Sequence, residues 1–276
     1  MREARTHPAD EYPAVPLPTA RLTGRALGLD IGGTGIKAAV VDLATGRLVT
    51  DRVRELTPRP ATPKAVLNVV ASVVHSLEAT GKLTPDMSGG AGFPSVIRTG
   101  RAMTATHGDS SWIDADVQGM LSERLHRPMV VLNDADAAGV AEVAYGAAKG
   151  QHGVVLLLDL GTGIGSALFT NGRLVPNMQL GHVELHGLDA ELRLSPAARK
   201  RRRIGWKPWS AEFNELLARY ETYLWPDLII IGGGLAKDFP KFEQLLKTKA
   251  PLVAAAMGGT AGIVGAARVG GNRTRT

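Results

Sequence analysis

Not one cysteine occurs in this chain of 276 residues. That absence excludes a disulfide framework, a thiolate zinc site and catalysis by a thiolate, and it fits a reducing compartment. Long apolar runs are missing as well, since no stretch reaches the roughly 18 apolar residues that a membrane-spanning helix needs. The opening segment, Met1 to Arg21, carries charges and prolines but lacks the apolar centre of a secretion signal. These absences are those of a soluble cytoplasmic protein with a polar N-terminal tail. Acidic residues are also outnumbered, 26 against 32 Lys and Arg, which leaves a formal net charge of +6. The excess is concentrated in Arg199-Lys200-Arg201-Arg202-Arg203, with Lys207 just beyond. No aromatic residue interleaves that run, so the stacking platform of a single-strand nucleic-acid binder is lacking. A solvated helix face and a track for a polyanion both remain open for it.

What is present begins with a repetition. An apolar strand ending in Leu29-Asp30 runs into Gly32-Gly33-Thr34-Gly35 and closes at Gly46-Arg47-Leu48-Val49. The same order recurs from Leu158-Asp159 through Gly161-Thr162-Gly163-Ile164-Gly165 to Gly172-Arg173-Leu174-Val175. Glycine lets backbone N–H groups crowd around an anion, and Thr adds a hydroxyl donor, so each loop is a plausible phosphate cradle. One such turn is explained equally well by a tight hairpin, whereas two suggest paired lobes gripping one polyphosphate-bearing substrate.

The rest of the chain alternates strands with helices. Thr62 is a good N-cap with Pro63 at the first helical position, and Val66, Val69, Val70, Val73, Val74 and Leu77 share one face before Gly81. A strand near Gly90 to Phe93, a hairpin at Arg98 to Arg101 and a helix near Ala115 to His126 follow. Met129 to Leu132 empties into Asn133-Asp134-Ala135-Asp136, and an Ala-rich helix continues to about Lys149. Beyond the second hairpin the pattern predicts coil from Pro176 to Lys207 and a helix from Ser210 to Leu224. A buried strand then ends at Gly232-Gly233-Gly234, a cluster that opens another helix, and a small-residue helix from Ala261 to Arg268 follows a last strand. Trp206, Trp209 and Trp225 read as core or lobe packing.

Two halves of this kind argue for an α/β protein with the bilobal actin-like ATPase (ribonuclease H-like) fold, each lobe of βββαβα type. A dinucleotide-binding fold fits worse, because both Gly loops return as strands and neither opens a helix. The expected organisation is a disordered tail over 1–24, a small lobe over 25–136 closed by a C-terminal helix over 261–269, a larger lobe over 137–260, and a disordered tail over 270–276.

From Gly28 to Ala267 the chain resembles the ROK sugar kinases, in their polyphosphate-using glucokinase branch. The resemblance is carried by Leu29-Asp30-Ile31-Gly32-Gly33-Thr34-Gly35-Ile36-Lys37, by Thr57-Pro58-Arg59-Pro60, by Leu132-Asn133-Asp134-Ala135-Asp136, by Gly161 to Ala167, by Leu180-Gly181-His182, by Trp225-Pro226-Asp227 and by Ala261 to Ala267. It implies transfer of a phosphoryl group from inorganic polyphosphate or ATP to the 6-hydroxyl of glucose or a related hexose, with Mg²⁺. By family position Asp134 is the general base. Asn133, His107, Gln179, His182 and Glu184 contact the sugar. Gly32, Gly33, Thr34, Gly35, Lys37, Gly161, Thr162, Gly163 and Gly165 hold phosphate, and Asp30 orients hydrated Mg²⁺. If ATP is used, Gly232, Gly233 and Gly234 meet the nucleotide. The family also implies a homodimer, with no nucleic acid or membrane as partner. A helix N-cap is the structural alternative for Asp134.

Most members of the family carry a Cys-rich zinc motif that this chain lacks, so no zinc is expected. His182, Glu184 and His186 alternate along an extended stretch, yet a structural zinc site wants four ligands. Gln179 stands where the family has Glu, His107 where it has Asn, Ser95 where it has Gly, Ser110 where it has Lys, and Asp159 where this branch more often has Thr. A neutral acceptor at Gln179 makes weaker hydrogen bonds than a carboxylate, so sugar affinity is expected to fall. Altered hexose specificity, or a catalytically weak sugar- or polyphosphate-binding protein, is the alternative to a working glucokinase. With the family in view, polyphosphate is favoured over nucleic acid as the polyanion for Arg199 to Arg203.

Overall fold

The computed structural model describes residues 22–105 and 108–272. Its first half contains β1 (Arg25–Ile31), β2 (Ile36–Asp42), β3 (Val53–Glu55), α1 (Pro63–Glu78), β4 (Gly89–Phe93), a hairpin of β5 (Ile97–Arg98) and β6 (Arg101–Ala102), α2 (Val117–Leu125), β7 (Met129–Asn133) and α3 (Asp134–Tyr145). The second half contains β8 (Val154–Leu160), β9 (Ile164–Thr170), β10 (Arg173–Val175), a hairpin of β11 (Glu184–Leu185) and β12 (Leu188–Asp189), α4 (Ala190–Leu194), α5 (Pro196–Arg202), α6 (Trp206–Leu224), β13 (Leu228–Gly232), β14 (Leu252–Ala254) and α7 (Ala261–Asn272).

Strand order is β3-β2-β1-β4-β7 in one sheet and β10-β9-β8-β13-β14 in the other. The two orders are the same arrangement. In each, an antiparallel hairpin leads and two crossover strands add in parallel. The repeated sequence motif is thus a repeated sheet, the actin-like plan expected of two βββαβα halves.

Alternation along each strand sorts side chains into layers. On β1, Leu27, Leu29 and Ile31 face a cluster completed by Val66, Val70, Val73 and Val74 of α1 and by Leu121 of α2. On β13, Ile229 and Ile231 face Trp209, Phe213 and Leu217 of α6. Between the sheets lies a third cluster, where Ala26 of β1, Ala137 and Val140 of α3, Phe169 of β9, Ile230 of β13 and Ile263 and Ala266 of α7 meet. Small residues dominate this middle layer because helix and sheet backbones touch there. A Cβ at Gly90 would overlap the carbonyl oxygen of Ala266 in α7, and one at Gly265 would overlap that of Ala137 in α3.

Several elements depart from the pattern read along the chain. Helix α3 ends at Tyr145, short of Lys149, because Glu142 turns back to accept from the Ala147 amide at 2.8 Å and the Gly146 amide bonds the Glu142 carbonyl. The stretch expected as coil holds α4 and α5. Asp189 caps the first, and Ser195 followed by Pro196 caps the second, helices of 5 and 7 residues that are too short to show a periodicity. Helix α6 starts at Trp206, since Pro208 falls in its first turn, where no amide partner is needed. The Gly232–Gly234 cluster opens a 3-10 helix, Gly233–Lys241, with Pro240 inside it, in place of an α-helix. Helix α7 continues to Asn272, so the first residues of the supposed C-terminal tail, Gly270 and Gly271, are buried helix. Leu22, placed in the N-terminal tail by the sequence, is buried in the middle layer. Trp225 is 76% exposed and is not core, whereas Trp209 is wholly buried. Among the described residues no helix is long and apolar enough to cross a membrane.

The glycine contacts give a direct test. Gly90→Ala should destabilise the protein by about 2–3 kcal/mol through overpacking against α7, read as a lower urea midpoint. A midpoint unchanged within error would mean that α7 sits further from β4 than the structure places it.

Candidate active site

The two Gly/Thr loops lie at the ends of β1 and β8, each folded into a tight turn by its own backbone. Gly32 donates its amide to the Gly35 carbonyl at 3.1 Å, and Gly161 donates to the Gly163 carbonyl at 3.2 Å. Thr57 Oγ1 donates to the Gly32 carbonyl at 2.6 Å and fixes the first loop from outside. The amides of Gly33, Thr34, Thr162 and Gly163 have no protein acceptor among the described residues, and Gly33, Thr34, Gly161 and Thr162 are exposed. Each loop therefore offers adjacent N–H donors to solvent, as an anion cradle requires.

Between the loops stands the N-terminus of α3. Asn133 is its N-cap and accepts from the amides of Ala135 at 2.9 Å and Asp136 at 3.1 Å, while its Nδ2 donates to the Ser95 carbonyl at 3.1 Å. The cap is therefore Asn133, and Asp134 is the first helical residue. Asp134 Oδ1 shares in the capping, accepting from the Ala135 amide at 2.9 Å, so its carboxylate serves the helix start as well. Asn133, 6% exposed, keeps one N–H beyond the bonds it already makes.

Three carboxylates converge here. Asp30 ends β1, Asp134 follows β7 and Asp159 ends β8, strand ends that α/β folds use for reactive groups. Lys37 Nζ lies 2.7 Å from Asp30 Oδ2, so its charge is shared with this carboxylate. Asp159 Oδ1 is buried without a hydrogen-bond partner, and the backbone of Gly233 backs directly onto it. Burial pushes the Asp159 carboxyl up to about 7, the charges of Asp134 and Asp30 push the same way, and Lys37 opposes them. Asp136 is also pushed up to about 7, by burial first and by Asp134 as well, although the Asn177 amide donates to its Oδ2 at 2.9 Å and favours the charged form.

Asn177 joins the halves of the molecule. Its side chain accepts from the Ile97 amide and donates to the Ile97 carbonyl, both at 2.8 Å, while its own amide holds Asp136. The segment after it carries Gln179, which is exposed and makes no capping bond, at the start of a 3-10 helix, Leu180–His182. Tyr220 donates to the Leu180 carbonyl at 2.6 Å, and Ser166 Oγ accepts from the Leu180 amide at 3.0 Å, so this segment is pinned to α6 and β9. His182 Nδ1 lies 2.7 Å from Asp189 Oδ2. Glu184 is exposed on β11.

The alternation of His182, Glu184 and His186 does not give a shared face. His182 is in a 3-10 helix, Glu184 in a strand, and His186 in a turn at φ 54° where it pairs with Glu215. No group of three or more His, Asp or Glu able to hold a metal exists among the described residues. Ser95, where the family has Gly, is buried, its hydroxyl donating to the Thr104 carbonyl at 2.8 Å and accepting from the Thr104 amide at 3.1 Å. His107 lies outside the described residues. Asn177 and Glu191 escaped the sequence reading. Glu191 Oε2 accepts from the Ile164 amide in the second loop at 2.9 Å, a contact across 27 positions that no local pattern signals.

The profile described as the ROK family matches residues 26–194, more than half of the chain. The chain belongs to the ROK family. This ROK protein is 42% identical over 251 residues to a polyphosphate glucokinase of Mycobacterium tuberculosis, covering 91% of this chain and 92% of the relative. Among solved structures it is similar to the inorganic polyphosphate/ATP-glucomannokinase of Arthrobacter sp. strain KM, at 43% identity and a TM-score of 0.86, covering 89% of this chain and 97% of that one. A ROK family glucokinase of Streptomyces griseus in complex with glucose and AMPPNP shares the fold, at 23% identity and a TM-score of 0.75, over 90% of this chain and 99% of that one.

The raised carboxyl of Asp159 has a consequence for stability. A folded-state value near 7 against an ordinary 3.8 means that the native state binds the proton more tightly. This group therefore lowers stability progressively as pH rises from about 4 to about 7. In the absence of divalent cations, Asp159→Asn should unfold at higher urea than the parent at pH 8, with the difference shrinking towards pH 4. An equal difference at every pH would show that the carboxyl titrates normally.

Proposed function

We propose that this ROK protein transfers a phosphoryl group from inorganic polyphosphate, and from ATP, to the 6-hydroxyl of glucose. The observation that carries the reading is the placement of Asp134 at the start of α3, between two loops whose amides face solvent, in a chain 42% identical to a polyphosphate glucokinase. An alcohol attacking phosphorus needs a base at its proton and donors around the phosphoryl oxygens. Asp134 takes the 6-hydroxyl proton. The amides of Gly33, Thr34, Thr162 and Gly163, with the Thr34 and Thr162 hydroxyls, hold the donor phosphates. Gln179, His182, Glu184 and the remaining N–H of Asn133 orient the sugar, on a segment that Asn177 ties to the same helix as Asp134.

Phosphoryl transfer of this kind normally uses a divalent cation. The chain fits one, since Asp159 Oδ1 has no partner and feels the charges of Asp134 and Asp30 against that of Lys37, which is already paired with Asp30. Asp30, through water, and Asp159 would hold Mg²⁺ together with the donor phosphates, as that ion is usually bound by one or two carboxylates. Bound there, it would neutralise part of the donor's charge. Asp159, where the branch more often has Thr, is therefore a compatible change at the donor side, while Gln179 bears on the sugar.

A coupled assay for hexose 6-phosphate, with glucose and mannose each offered against polyphosphate and ATP, tests the reading. Asp134→Asn should lower kcat by about 10²–10⁴-fold with its unfolding midpoint preserved, and unchanged turnover would remove Asp134 as the base. Gln179→Glu should lower the KM for glucose by roughly five-fold, the gain of a charged over a neutral acceptor. An unaltered KM for both sugars would take residue 179 out of the sugar site.

A further inference from the structure

Helix α5 concentrates the chain's positive charge, and most of it is not neutralised. Of its cations, Arg202 is paired with Glu212, at 2.6 Å and 2.9 Å, and the same carboxylate also serves Arg193 at 2.7 Å. Arg201 donates to the Leu192 carbonyl, and Arg199 lies 3.8 Å over the Trp206 ring and donates to the Ile204 carbonyl, neither contact carrying negative charge. Lys200, Arg203 and Lys207 are exposed and have no acidic partner among the described residues. At about 100° per residue, Lys200 lies opposite Ala198, the buried residue of α5, while Arg203 ends the helix in a left-handed conformation and is exposed. Cations crowded on one short helix repel one another.

The helix is also close to the donor end of the cleft by two routes. Glu191, near the start of α4, bonds the second phosphate loop at Ile164, and α5 follows α4 after Ser195 alone. From the other side, the 3-10 helix Gly233–Lys241 begins against Asp159, and the charge of Arg199 acts on Asp238 within it. Lys237 is exposed on that same helix, four residues or about 8 Å from Gly233. Lys200, Arg203 and Lys207 follow the first route outward from the second loop, and Lys237, whose charge also falls on Asp238, lies on the second; together these exposed cations constitute the basic face.

We propose that this face binds the distal part of a long polyphosphate chain, whose terminal phosphates occupy the two Gly/Thr loops. The inference rests on the donor reading above and adds where the rest of the donor goes. ATP and tripolyphosphate carry three phosphates, which the loops take up, and so leave none for Lys200, Arg203 and Lys207. A long chain gains from it by counterion release and by the high effective concentration of a tethered second contact. Discrimination between donors by length then resides outside the catalytic cleft.

The test uses the full chain, its charge-reversed form Lys200→Glu/Arg203→Glu/Lys207→Glu, and a control, Lys64→Glu/Arg124→Glu, on α1 and α2. Direct binding is measured for polyphosphate of about a hundred phosphates, for tripolyphosphate and for a DNA duplex, at several salt concentrations, beside KM values for long polyphosphate and ATP. Charge reversal should weaken long-chain binding at least ten-fold and flatten its salt dependence, with tripolyphosphate binding and the KM for ATP within two-fold of the parent and the control close to parent. Three outcomes overturn the proposal: long-chain affinity that does not change, an equal loss for tripolyphosphate and ATP, or tighter binding of the duplex than of polyphosphate. Because binding is read separately from turnover, a parent that binds long polyphosphate through this face yet phosphorylates no sugar would count against the glucokinase reading while sustaining the polyanion site.

Discussion

Helix α7 meets the first sheet and α3 through backbone atoms, because glycine stands at Gly28, Gly90 and Gly265 where any side chain would collide. That contact closes the middle layer, and the middle layer holds the two repeated sheets in register with each other. It also sets the cleft. With α7 seated on β1, Gly262 comes against the Asp30 carboxylate, and with α3 seated on α7, Asp134 comes to the end of β7 facing the second loop. Dispersion and burial supply the energy of these contacts, but their closeness is a matter of excluded volume, which tolerates little adjustment in a packed interior.

A second constraint is electrostatic. Asp30, Asp134 and Asp159 share one cleft, where Lys37 pairs with Asp30 and its charge also reaches Asp159. Bringing carboxylates together in a partly buried space raises the cost of their charge, a cost that a divalent cation or a proton would offset. The loops contribute the complementary feature, unpartnered amides at Gly33, Thr34, Thr162 and Gly163 that favour anions. Carboxylates beside anion-binding loops make sense for chemistry that brings phosphate and a cation in together.

Much of this was legible along the chain because its signals are local. The doubled strand, loop and strand pattern gave both sheets, the Thr62-Pro63 cap gave α1 to within a turn, and the strand ending in Asn133-Asp134 located the start of α3. Elements whose signal is shorter than a period were missed. Helices α4 and α5 together span little more than three turns, and the 3-10 helix after Gly232 follows a spacing that helical periodicity does not describe. The exposure of Trp225 was misread because aromatic residues are usually buried, whereas this one follows α6 in a left-handed conformation that turns it outward.

The sequence by itself determined the fold class, the family, the two Gly/Thr loops and the position of the acid after β7, since each depends on residue type and short-range spacing. Only the tertiary structure decided that Asn133 is the N-cap of α3 and Asp134 its first helical residue, that Lys37 is spent on Asp30, that Asn177 ties Asp136 to the β5 hairpin, and that Asp159 Oδ1 lacks a partner. Each of those facts depends on which groups meet across tens of residues. Hydrogen-bond partners and electric fields are properties of distance in space, and a chain fixes that distance only when it packs.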